Sequence, residues 1–160
     1  MFDPEAYGPV VAGILALDHG SAEARDTIRR SGLPDVVRAV LFLHLGCWKE
    51  AHEVAQDIDT QDGSYWHAIV HRLEPDASNA AYWFRRVGSH PTFPALRARA
   101  AESGYRTGVT WDPIAFIDYC ENARPGSEEE RIAQDVQRAE WELLFDHCAR
   151  EAKLGASGPS

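Results

Sequence analysis

No apolar run in this sequence approaches the 18 or more residues that cross a bilayer as a helix. The longest candidate, Pro9 to Leu17, is far shorter. It follows Asp3 and Glu5 rather than a basic stretch, so it does not read as a signal peptide. Cysteine is scarce. Cys47, Cys120 and Cys148 are odd in number and form no Cys-x-x-Cys pair, which argues against a disulfide framework and a cysteine-based zinc site. Each sits among apolar neighbours and reads as a buried small hydrophobe, so a reduced, cytoplasmic setting is expected. Period-two alternation is almost missing, so strands are not expected. The phosphate-binding loop, the dinucleotide glycine fingerprint, the Gly-x-Ser-x-Gly elbow and the calcium loop are all absent. Positive charge is also short. Sixteen Lys and Arg face 25 Asp and Glu, giving a net charge of −9. Such a chain repels nucleic acid and anionic membranes, so neither is an expected partner.

What remains is a chain of 160 residues with an ordinary share of apolar side chains, 44%. That length suits one domain. Helical periodicity recurs along it. A first helix is predicted over Pro4 to Leu17. A short second one is capped by Ser21 and ends at Gly32 and Pro34. Two more are expected over 35–45 and 48–58. Asp59 to Gly63 reads as a polar turn. Further helices follow over 65–73, 78–87 and 94–103, then an irregular stretch over 105–110. Asp112-Pro113 is an N-cap with proline at the first helical position, starting a helix over 113–122. Ser127 with Glu130 three residues on is a capping-box pattern for a long last helix to about Lys153. The expectation is an all-α fold: one domain over 1–154, with eight or nine helices packed as antiparallel hairpins. A flexible tail should follow over 155–160. The apolar stripe of the last helix offers a route to a homo-oligomer.

Residues 65–91 stand out chemically. They hold His67, His71 and His90, two tryptophans and three arginines. The charge balance shifts here too. From Ser64 to Ala100 five arginines face Glu74 and Asp76, a local balance of +3 in an acidic chain. This stretch resembles the signature of a family of small, uncharacterised bacterial all-helical proteins, with the resemblance spanning about 40–95. The resemblance implies a helical fold and brings no activity with it. Gly46-x-Trp48-x-x-Ala51-His52 resembles, more generally, the helix hairpins of tetratricopeptide repeats. No 34-residue repeat accompanies it, so hairpin packing alone is inferred.

At about 100° per residue, His67, His71 and Glu74 fall at about 0°, 40° and −20° on one helical face. Asn79, Tyr82, Trp83 and Arg86 share a face of the next helix in the same way. Juxtaposed, the two faces would form a polar pocket, with His90 closing one end. Three readings follow. The first is a site for a small anionic ligand or metabolite. Arg86 would be a planar clamp, the histidines donors that titrate near neutrality, and Trp83 or Trp66 an apolar wall. In an enzyme of that kind, His67 or His71 would be the general base. The second is a metal site at His67-x-x-x-His71. Against it, Ala68 stands where zinc hydrolases carry glutamate, and Glu74 lies about 10 Å along the axis from His67. A third ligand would have to come from His90, His52 or elsewhere, so no tightly held metal or other cofactor is expected. The third is a polar helix interface in a non-enzymatic, repeat-like interaction module, with His71 paired to Glu74 and Arg86 to Glu74 or Asp76.

Overall fold

The computed structural model describes residues 2–153. Among them there are nine α-helices and no strand, and 70% of the chain is helical. The tail expected at 155–160 lies outside the described residues. The helices are α1 (Pro9–Leu15), α2 (Ala22–Arg30), α3 (Asp35–His44), α4 (Trp48–Ala55), α5 (Gln61–Leu73), α6 (Ala77–Val87), α7 (Phe93–Ser103), α8 (Pro113–Asn122) and α9 (Glu128–Glu151). A 3₁₀ turn over Pro4–Tyr7 precedes them.

Most starts follow the sequence signals. Ser21, Asp76, Asp112 and Ser127 each accept a backbone N–H of the first turn they cap. In the last helix Glu130 also reaches back, though to the residue before the cap: Gly126 N–H donates to Glu130 Oε1 at 3.1 Å, while the Ser127 N–H goes to Arg124 O. α4 ends at Ala55 rather than at Ile58, and two starts differ from expectation. The single helix predicted over Pro4 to Leu17 is split at Gly8, whose φ is +97°. Pro9 has no N–H and disfavours helical backbone before it, so the chain turns and restarts there. The polar turn predicted over 59–63 is partly helix. Thr60 accepts the Gly63 N–H through Oγ1 at 3.0 Å, and α5 therefore begins at Gln61.

The antiparallel hairpins are α3 with α4 and α5 with α6, joined by Leu45–Cys47 and Glu74–Asp76. α5 lies at the centre and packs on α3, α4 and α6. Ten of its 13 residues are buried, polar ones included, so each polar group there needs a partner inside the fold. α9 crosses the other side and packs on α3, α7 and α8. Its stripe of Ile132, Val136, Ala139, Leu144 and Phe145 is buried within the same chain. No helix among the described residues is long and apolar enough to cross a membrane.

Candidate functional site

α5 carries polar side chains on two sides, and each side meets a different partner. On the first, His67 and His71 stand one turn apart, their rings stacked 4.8 Å between centroids. α4 packs against this side. Ala51 and Ala55 are buried and small, which lets the helices come close. His52 of α4 is thereby brought to His67, with Nε2 to Nε2 at 3.0 Å. At that distance one ring donates and the other accepts. His52, His67 and His71 each place one ring nitrogen within 4.8 Å of the other two.

The surroundings are mixed. Trp83 of α6 stacks on His67 at 4.0 Å and closes the apolar side. Glu74 and Asp76 stand 3.5 and 3.8 Å from His71 Nδ1. Their charge favours an N–H on that nitrogen and leaves Nε2 with the lone pair. His67 and His71 are buried and His52 is half-buried, so the cluster reaches solvent on the His52 side. Burial, then the neighbouring His52 and His71, pushes His67 down to about 4. Burial also lowers His71, partly offset by Glu74. Both imidazoles are therefore neutral at pH 7.

Acid lability follows. The unfolded chain binds a proton at His67 near pH 6.5, and the folded chain only near 4. The contribution is complete above pH 6.5 and is lost as pH falls toward 4. For a ring with partial solvent access this amounts to about 2 kcal/mol. Thermal melts at pH 7.5 and 4.5 should show that loss. His67→Phe, which keeps the stack on Trp83, should reduce it. An unchanged pH profile in His67→Phe would contradict the assignment.

The predicted face of α6 does not meet α5 as a whole. Ala80, Phe84 and Val87 form the buried stripe of α6. By helical phase the Asn79–Arg86 face lies about 100° away from that stripe, and Trp83 is its nearest member. Tyr82 is exposed, and Asn79 Nδ2 donates to Asp76 Oδ2 at 2.7 Å within the α6 cap. Arg86 is exposed and stacks over Trp83 at 5.3 Å. It lines a shallow groove of about 400 Å³ with Asp59, Thr60, Gln61 and Ser64. The pairing of Arg86 with Glu74 or Asp76 is thus not formed, whereas that of His71 with Glu74 is. His90 does not close this pocket.

His90 belongs to the second side of α5. It lies in the turn after α6, which Gln61 fastens by donating Nε2–H to Val87 O and Ser89 O at 2.7 and 2.6 Å. His90 Nε2 then sits 2.7 Å from Asp62 Oδ1, and His147 Nε2 of α9 sits 3.3 Å from the same oxygen. Neither Asp62 nor His147 was a predicted site residue. Asp62 fell in the stretch read as a turn. Asp146, adjacent to His147 in sequence, lies on another face of α9 and accepts from Tyr7 OH at 2.9 Å. Nor does local spacing reveal the buried pair of Arg72 with Glu140, which Tyr65 OH joins at 2.9 Å. Cys47 and Cys148 are buried as expected, whereas Cys120 is half-buried; desolvation raises all three thiols, Cys120 up to about 11, which disfavours the thiolate. Compared with family models, curated proteins and solved structures, the chain gives no match, so the resemblance of residues 65–91 stays an expectation and the sites rest on their own chemistry.

Proposed function

We propose that this protein binds a divalent transition-metal ion through His52, His67 and His71. The observation that carries the reading is the convergence of three imidazole nitrogens within 4.8 Å of one another. His52 supplies the third donor that the His67-x-x-x-His71 pair lacks on its own helix. Two further features favour an ion. The Nδ1 atom of His67 is buried without a hydrogen-bond partner among the described residues, so this ring is not fully satisfied by the protein. Glu74 and Asp76 add negative charge beside a set of neutral ligands. Three imidazoles suit zinc, copper, nickel or cobalt, and they leave a coordination position for water or a small ligand on the His52 side.

The small-anion reading has one support, the exposed guanidinium of Arg86 on Trp83. Its groove also contains Asp59, which repels an anion. The metal reading is therefore the one preferred.

The test is a thermal shift with zinc. At a free concentration a hundred times the dissociation constant, binding to the folded state adds about 2.7 kcal/mol. For a chain of this size that raises the melting temperature by about 5–10 °C. His52→Ala, at a half-buried position, should fold and lose most of the gain. An unresponsive parent protein, or a gain undiminished in His52→Ala, would refute the proposal.

A further inference from the structure

The structure assigns a second metal site of different chemistry to Asp62, His90 and His147, on the other side of α5 from the three histidines. Three elements converge there: the first turn of α5, the turn between α6 and α7, and the last third of α9. One donor atom from each residue lies within 4.8 Å of the other two. The carboxylate oxygen Oδ1 is the shared corner, 2.7 Å from His90 Nε2 and 3.3 Å from His147 Nε2. With metal–ligand bonds of about 2.1 Å, adjacent donors are about 3.0 Å apart in an octahedron and about 3.4 Å in a tetrahedron. The spacings around Asp62 already fall near these edges, so an ion enters with small side-chain movements.

The outer contacts of the site also suit a ligand set. His90 is buried, and its Nδ1 lies 2.9 Å from Thr92 Oγ1. In the metal-free protein the Thr92 N–H donates to Nδ1 at 3.2 Å, so Nε2 carries the proton and donates it to Asp62. When Nε2 turns its lone pair to an ion, the ring proton moves to Nδ1 and Thr92 Oγ1 accepts it. No net proton is gained or lost at the ring. The exchange does give up the Thr92 backbone bond, which makes this the weaker of the two sites. Burial works against the Asp62 carboxylate, but the His90 hydrogen bond and the adjacent histidines hold it below the ordinary range, so it is anionic at neutral pH. Asp62 and His147 are only partly covered, with side-chain exposures of 21% and 23%, and this is the entry path.

Two imidazoles and one carboxylate form a harder set than three imidazoles. It takes iron(II), manganese(II), cobalt(II) or zinc and leaves open positions on the solvent side. The pair of sites would make α5 a two-metal helix. The ions would be held on separate sides, since Asp62 and His67 are five residues and about 140° apart around the axis.

Cobalt(II) is the probe, because inner-sphere nitrogen ligation changes its visible spectrum. The parent protein should take up two equivalents in a calorimetric titration, the second at least tenfold more weakly. His52→Ala should retain one equivalent with the weaker affinity and a visible band. His52→Ala/His147→Ala should retain none, with unchanged circular dichroism. His52→Ala/His147→Gln, which keeps a hydrogen-bond donor toward Asp62, should also lose it and so separates ligation from folding. If His52→Ala takes up no cobalt, or if its equivalent persists without His147, the inference fails and the cluster is a hydrogen-bonded clamp between α5 and α9. Loss of binding in His52→Ala also leaves the first site standing, so the two proposals fail separately.

Discussion

Glu140→Ala should melt about 10 °C or more below the parent protein, a loss of about 3–5 kcal/mol. Glu140 is on the buried side of α9 and its side chain is 1% exposed; Arg72 of α5 is 2% exposed. The carboxylate receives both terminal nitrogens of the guanidinium and the Tyr65 hydroxyl. Burial alone works against a charged Arg72, and Glu140 outweighs it, holding the group above its ordinary range. Phe116 and Phe84 stand at 5.0 and 5.7 Å from the guanidinium carbon, a weaker cation–π support. Removing the carboxylate strands a buried cation, because two aromatic faces do not replace an anion. The loss therefore exceeds that of an exposed pair such as Arg131 with Glu128, for which about 0–1 kcal/mol is expected. The double variant Arg72→Met/Glu140→Leu removes both charges and keeps the volume apolar, so it should recover most of the loss. Urea denaturation of the three proteins decides the matter. A Glu140→Ala protein within about 1 kcal/mol of the parent would show that Arg72 finds another partner or water.

The helices were legible because their signals are local. Ser21, Asp112-Pro113 and Ser127 with Glu130 each determine a start through hydrogen bonds to residues two to four positions on. The His67-x-x-x-His71 pair was legible for the same reason, since one turn of helix sets its geometry. The partners of these residues were not. His52 reaches His67 only because α4 folds back beside α5. His90 goes to Asp62 rather than to the His67–His71 side of α5 because Gln61 holds the turn after α6 on the opposite side. On α6, the helical spacing of Asn79, Tyr82, Trp83 and Arg86 said that they share a face, but not that the face is solvated. Ala80, Phe84 and Val87 decide that, because burying their apolar surface outweighs any polar contact the other face offers. Arg72 with Glu140 is the far case. The two are 68 residues apart, and each alone reads as a surface charge.

The same substitution, glycine to alanine, should have opposite signs at two helical positions of this chain. Gly63 lies in the first turn of α5, and a Cβ there would stand 2.4 Å from the Ile58 carbonyl oxygen and 2.6 Å from Ile58 Cγ2. The nearer atom is backbone, so no rotamer change relieves the contact. Either the start of α5 or the segment carrying Ile58 must move. Movement at this point loosens the Thr60 cap, which depends on the Gly63 N–H. It also shifts Asp62, one residue earlier, away from His90. Overpacking and the weakened cap together exceed the roughly 1 kcal/mol that alanine contributes through helix propensity. Gly63→Ala should therefore be destabilised by about 2–3 kcal/mol, and it should lose cobalt at the Asp62 site while keeping it at His52, His67 and His71. Adding Ile58→Ala removes the Cγ2 contact but leaves the carbonyl oxygen and the residue's own Cβ, 2.7 Å away, so it should not restore the parent's stability. Gly13 in α1 is exposed, and a Cβ there meets nothing within 4 Å. Gly13→Ala should stabilise by about 0.5–1 kcal/mol. Denaturation midpoints of the two single variants measure both. A Gly63→Ala protein as stable as Gly13→Ala would mean that the approach of Ile58 to α5 is looser than the structure has it.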